Sequence, residues 1–139
     1  MYLIVGASGF IGSYVVESLL RKTEEDIVAT YNLNEPFLSD KRVSWLKFDV
    51  RECVADKISS SISKEEPLKI IYLASFHHPD LVEKKFDLAW DINIVSLSQF
   101  LGEIGQFYSF FYASTDIVYG NGTLSHYFSE EEELNPINT

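Results

Sequence analysis

The sequence predicts a single α/β domain, doubly wound around a parallel sheet of about five strands in the order 3-2-1-4-5. Short apolar runs alternate with stretches of helical periodicity up to about residue 113, and that alternation gives a parallel sheet with helices on both faces. The first run stops at Gly6, and Gly9 and Gly12 follow as a helical pattern begins. The length of 139 residues suits one domain with a real core. Right-handed crossovers then favour the strand order given.

The elements follow in chain order. Residues 2–5, Tyr-Leu-Ile-Val, read as a buried parallel strand. Residues 10–21 carry Ile11, Val15, Val16, Leu19 and Leu20 at helical spacing. Residues 27–31 are a second strand, with a polar loop from Asn32, and residues 43–48 are a third, ending before Asp49. In residues 51–63, Val54, Ile58 and Ile62 lie four apart on one helical face. Residues 69–74 are a fourth strand, and residues 87–105 a long helix with Trp90, Ile94, Leu97 and Leu101 inward. Trp45 and Trp90 are both expected to pack on the sheet. Residues 108–113 are a fifth strand, and beyond Gly120 the pattern gives way to turn and acidic residues.

Composition excludes several classes of function. A net charge of −10 leaves no basic stripe to neutralise phosphates, so no nucleic acid is expected as partner. The run Glu130 to Glu133 reads as a solvated segment. Cys53 is the only cysteine, which rules out an internal disulfide and fits a reducing, cytoplasmic setting. No apolar stretch approaches the roughly 20 residues of a membrane span, and no leader pattern opens the chain. His77 and His78 are adjacent, and adjacent positions rarely give the geometry that one metal ion needs. No metal is expected. Phe107, Tyr108, Phe110, Phe111 and Tyr112 crowd the fifth strand with no covering helix after it. Such a patch drives association, so a homo-oligomer or a self-associating monomer is expected.

The glycine pattern carries the chemistry. Gly6 permits a tight turn after the first strand, Gly9 lets backbone approach a pyrophosphate, and Gly12 lets the helix pack close to the strand. The helix start offers N–H groups and a positive dipole end, with Ser8, Phe10 and Ile11 adding contacts. In its strand–turn–helix context the pattern points to NAD or NADP. The acidic residue that holds a ribose 2′-hydroxyl belongs at the end of the second strand, a place that falls on Tyr31 or Asn32, neither of them acidic. Lys41 and Arg42 would reach a 2′-phosphate only if their loop folds back. The 2′ preference stays open, with a lean to NADP.

Gly6 to Gly12, with Phe10-Ile11 before the last glycine, resembles the loop of the extended short-chain dehydrogenase/reductases, the nucleotide-sugar epimerases, dehydratases and reductases. Phe48-Asp49-Val50 resembles that family's adenine-binding segment. Tyr72-Leu73-Ala74-Ser75 is similar to its His-Leu-Ala-Ala motif beside the cofactor. Asn93 matches an asparagine in its long helix, and residues 114–120, Ser-Thr-Asp-Ile-Val-Tyr-Gly, resemble its Ser-Ser/Thr-x-x-Val-Tyr-Gly block. Glu130 to Pro136, acidic and ending in proline, resembles its approach to the active-site helix. The likeness spans the chain.

The resemblance implies a Rossmann-type sheet, NAD(P) as cofactor and a nucleotide-activated sugar as substrate. It implies that Asp49 and Val50 meet adenine, that Leu73, Ala74, Ser75 and Asn93 border the cofactor, and that Thr115 faces the substrate oxygen. It also implies a Tyr-x-x-x-Lys pair, the general acid/base and its partner. None of Tyr108, Tyr112, Tyr119 or Tyr127 is followed by lysine four residues on. The expectation is therefore the N-terminal, cofactor-binding portion of a longer enzyme, inactive by itself. A non-catalytic nucleotide sensor or interaction module of the same fold is the alternative.

Overall fold

Each apolar run becomes a strand: β1 Tyr2–Val5, β2 Ile27–Tyr31, β3 Val43–Lys47, β4 Lys69–Tyr72 and β5 Ser109–Tyr112. The computed structural model describes residues 1–63, 65–122 and 127–136, so the tail expected after Gly120 lies partly outside them. All four strand pairings are parallel and the order is β3-β2-β1-β4-β5. The helices are α1 Phe10–Lys22, α2 Val54–Lys57, α3 Pro79–Lys84, α4 Phe86–Trp90 and α5 Ser96–Glu103.

Strand alternation divides the core in two. Ile4, Ile27 and Ala29 face α1, where they meet Val16, with Trp45 and Leu20 at the margin. Leu3, Val5, Val28, Ile70 and Tyr72 face the other way, against Val54, Ile58 and Phe100 from α2, its following turn and α5. The central strands are apolar on both faces, as a parallel sheet covered on both sides requires.

Arg42, just ahead of β3, ties the strand to the end of α1. Its guanidinium donates to the Thr23 and Leu20 carbonyls at 2.6 and 2.8 Å, satisfying carbonyls that the last helical turn leaves without partners. Trp45 donates its indole N–H to the Leu38 carbonyl at 2.9 Å and so holds down the loop between β2 and β3.

Two expectations are corrected. Ile11 is exposed rather than part of the inward stripe of α1, because on that first turn it is Gly12 that faces inward, against Gly6 and Ala7. The single helix over 87–105 is interrupted: backbone at Lys85 leaves the helical region (φ −134°, ψ 50°), and Asp91–Val95 form a π-helical turn. A wider turn holds more residues per revolution, so each later side chain lags around the axis. The inward residues are Ala89, Ser96 and Phe100, with Leu97 half-buried. Trp90, Ile94 and Leu101 are exposed, and Trp90 does not pack on the sheet. On β5, Phe110 packs near the Tyr72 ring, while Phe111 is 58% exposed and Tyr108, just before the strand, 76%.

Candidate functional site

The strand order reverses direction between β1 and β4, one leading to β2 and the other to β5. A crevice opens outside the carboxyl ends of strands at such a point. The glycine loop stands there. Gly6 adopts φ +87°, and a Cβ on it would lie 2.9 Å from the Ala74 nitrogen. The loop thus lies directly against Leu73 and Ala74 after β4, which that contact makes part of the site. Thr30, buried in β2, holds the other side. Its hydroxyl accepts from the Gly6 N–H at 3.1 Å, and its carbonyl accepts from the Ala7 N–H at 2.8 Å. Sequence reasoning missed Thr30; its only signal is a hydroxyl within an otherwise apolar strand.

At the start of α1, no side chain caps the helix among the described residues and its first turn carries no acidic group. Ser13 turns its hydroxyl back onto the Gly9 and Phe10 carbonyls. The helix opening is therefore left to the N–H groups and the dipole, an arrangement suited to an anion. A Cβ at Gly9 would meet only the Gly6 carbonyl oxygen, at 3.4 Å. Ser8, Phe10 and Ile11 stand at the same edge, and with Tyr14, Phe37 and Leu38 the first turns of α1 border an open groove.

Past β3, Asp49 and Val50 come to the same edge as the end of β2. The Phe48 N–H donates to the Tyr31 carbonyl at 2.8 Å, and Asn32 donates from its amide to Asp49 Oδ2 at 3.3 Å. Arg51 grips Asp49 from the other side, Nε to Oδ1 at 2.9 Å and Nη2 to Oδ2 at 2.6 Å. That pairing holds the Asp49 carboxyl down at about 2, so it is an ionised acceptor throughout the physiological range. Arg51 is the second residue that sequence reasoning passed over; the spacing Asp-x-Arg was the available signal.

The remaining candidates are placed as follows. Asn93, in the π-helical turn, accepts from the Phe76 N–H at 2.8 Å and donates to the Phe76 carbonyl at 2.9 Å. It fixes the backbone just past Ser75, so its side chain is occupied by the loop that borders the crevice. Thr115 caps the short 3₁₀ turn Asp116–Tyr119: its hydroxyl accepts from the Ile117 N–H and donates to Asp116 Oδ1, both at 3.3 Å. Tyr31 stacks edge-on with Trp45. His77 and His78 stack on each other, and among the described residues no group of three metal-ligating side chains forms. Lys41 and Arg42 sit before β3, at the edge of the sheet opposite the glycine loop. Arg42 is committed there to the α1 carbonyls, so the fold keeps both away from a ribose at the end of β2.

These features define a doubly wound domain of the Rossmann type with its glycine loop at the switch point. The chain belongs to the NAD dependent epimerase/dehydratase family, whose sequence profile matches residues 2–139. The methionine adenosyltransferase 2 subunit beta of Danio rerio is 26% identical over 136 residues, 98% of this chain and 38% of its own length. The UDP-glucose 4-epimerase of Thermus thermophilus, solved with NAD, superposes with a TM-score of 0.83 at 22% identity, covering 99% of this chain and 45% of that one. A dTDP-glucose 4,6-dehydratase from Streptomyces venezuelae, also solved with NAD, gives 0.80 at 21% identity, with 99% and 46% covered. The chain thus spans about two-fifths of the length of these relatives. No helix among the described residues is long and apolar enough to cross a membrane.

Proposed function

We propose that the chain is the NAD(P)-binding part of a nucleotide-sugar epimerase, dehydratase or reductase, acting in the cytoplasm. The observation that carries this reading is the uncapped, acid-free start of α1 set between the ends of β1 and β4. Gly9, Ser8, Phe10 and Ile11 would hold the pyrophosphate, and Gly6 and Gly12 would shape the loop. Asp49, ionised and at the sheet edge, would accept from the adenine amino group, with Val50 beside it. Tyr31 and Asn32 would flank the adenosine ribose. Leu73, Ala74 and Ser75 would line the cofactor, and Asn93 would keep their loop in place. When bound, the dinucleotide supplies hydride chemistry, while the protein supplies position and exclusion. Thr115 would turn its hydroxyl from Asp116 towards a substrate oxygen.

The solved relatives support the ligand classes, being titled as UDP-glucose 4-epimerase and dTDP-glucose 4,6-dehydratase bound to NAD. In this reading the Tyr-x-x-x-Lys pair belongs to residues other than these, so the isolated chain binds nucleotide and transfers no hydride. Calorimetric titration with 5′-ADP is expected to give one site per chain in the micromolar to millimolar range. Failure of any adenine nucleotide to bind at millimolar concentration would overturn the proposal.

One observation favours a second reading. The curated relative is named as a subunit of a methionine adenosyltransferase, which fits a non-catalytic interaction module. The chain is also expected to self-associate through the exposed aromatic residues of β5 and the outer faces of α4 and α5, where Trp90 is 52% exposed. Light scattering across a dilution series checks this, and a monomer at every concentration counts against it.

A further inference from the structure

Thr30 bonds the glycine loop in a way that the strand ladder does not supply. Along β1 a paired N–H donates to the carbonyl just before its partner residue on β2: Tyr2 pairs with Ile27 and donates to Asp26 at 2.9 Å. Ile4 pairs with Ala29 in the same register. Continued to Gly6, that ladder would carry the Gly6 N–H to the Thr30 carbonyl. It does not, because Gly6 turns to φ +87° and the chain leaves the sheet there. The Ala7 N–H takes that carbonyl instead, at 2.8 Å. The Gly6 N–H is left over, and the Thr30 hydroxyl accepts it at 3.1 Å.

These bonds pin both peptide planes that meet at Gly6. The plane before it is held by the Thr30 hydroxyl on its N–H and by the Leu73 N–H on the Val5 carbonyl, at 2.8 Å. The plane after it is held by the Thr30 carbonyl on the Ala7 N–H and by the Gly9 N–H on the Gly6 carbonyl, at 3.3 Å. Glycine has the widest torsional freedom of any residue, so an unpinned Gly6 would let the loop swing, and Gly9 would swing with it. Thr30 is a firm anchor. It is 1% exposed, its β-branched side chain has few rotamers, and β2 is paired on both sides, with β1 and β3. Valine would serve a buried strand equally well in every respect but the hydroxyl.

We propose that Thr30 is a positioning residue for the glycine loop: its hydroxyl locks the torsion at Gly6 and so presets the loop for a diphosphate before any ligand arrives. The assignment rests on the dinucleotide reading above and deepens it, since preorganisation lowers the ordering cost of binding.

The test compares 5′-ADP, whose diphosphate would lie on the loop, with adenosine, which has none. Calorimetry follows the first and ligand-observed NMR the second. Thr30→Val keeps the branched shape and loses the acceptor. It is expected to bind 5′-ADP about 10-fold more weakly than the parent, and adenosine to within about twofold of it. Thr30→Ser is expected to bring 5′-ADP back to within about threefold of the parent. Thermal melting of each variant reports folding separately. A structural role alone would lower the melting temperature and leave the ratio of the two affinities unchanged. A parental ratio in Thr30→Val, or a loss that Thr30→Ser does not restore, therefore overturns the assignment and leaves the binding reading standing. Should Thr30→Val fail to fold, amide hydrogen exchange in the parent decides. A Gly6 N–H as protected as that of Ala7 supports the lock, and one that exchanges freely overturns it. Absence of 5′-ADP binding by the parent sinks the two proposals together.

Discussion

Gly9→Ala is expected to leave a folded chain that has lost about 10-fold or more in affinity for adenine dinucleotides, whereas Gly12→Ala is expected to destabilise the fold markedly. The two glycines belong to one motif, yet their surroundings differ. At Gly9 the backbone is extended (φ −72°, ψ 172°), a conformation open to alanine. Among the described residues a Cβ there meets one carbonyl oxygen, at 3.4 Å, and in the proposed complex it would crowd the pyrophosphate. At Gly12 a Cβ would overlap the Gly6 carbonyl oxygen and sit 2.7 Å from the Ala7 Cα. Those are backbone atoms of the loop that β1 and β2 hold, so nothing yields cheaply. Overpacking of that kind costs about 1–3 kcal/mol or more, against a total stability on the order of 10 kcal/mol. Thermal melting separates the cases: a normal transition for Gly9→Ala, and a lowered or absent one for Gly12→Ala. A Gly12→Ala chain with parental stability would show that α1 has room to stand further from β1.

Tyr72→Phe is expected to stabilise the chain, with an effect that grows at high pH. The Tyr72 ring is 1% exposed and packs against Phe100, but its buried hydroxyl finds no hydrogen-bond partner among the described residues. A buried donor without a partner costs about 1–3 kcal/mol. Burial first, and the nearby Tyr112 second, push the Tyr72 phenol up to about 12. The folded-state value lies above that of the unfolded chain, near 10. The contribution is therefore fully present below pH 10 and lost as pH rises from 10 towards 12, on the order of 3 kcal/mol for a shift of that size. Phenylalanine keeps the ring contacts and removes both penalties. Urea unfolding at pH 7 and again near pH 11 checks this: the gain over the parent is expected to be about 1 kcal/mol at the lower pH and larger at the higher. A variant less stable than its parent at pH 7 would mean that the hydroxyl has a partner.

The same residues show what the sequence could and could not announce. All five strands and their order were legible, because runs such as residues 2–5 and 27–31 are apolar without alternation, as doubly covered strands must be. The glycine loop was legible because its spacing is tied to one local geometry. The face of the 86–103 region was not. Periodicity assumes a constant number of residues per turn, and the turn at Asp91–Val95 breaks that assumption without any proline or glycine to flag it. Thr30 and Arg51 also escaped, for another reason. Each matters through a partner distant in sequence or across a strand end, Thr30 through Gly6 and Arg51 through a corner shared with Asn32. The sequence offers Asp49 as an adenine contact, but the two donors that orient it become visible only once β2 and β3 are laid side by side.

Asn93 projects from the one widened turn of its helix and clasps both polar atoms of a single residue's backbone at Phe76. A dislocation in a helical lattice is ordinarily a defect, yet here it works as a gauge block. Trimming one residue from that turn would restore the regular pitch and rotate every side chain upstream by about 100° relative to those downstream. The amide would then miss its backbone partner and the loop past Ser75 would lose its datum, so the irregular winding of one helix sets the contour of a loop some seventeen residues earlier in the chain.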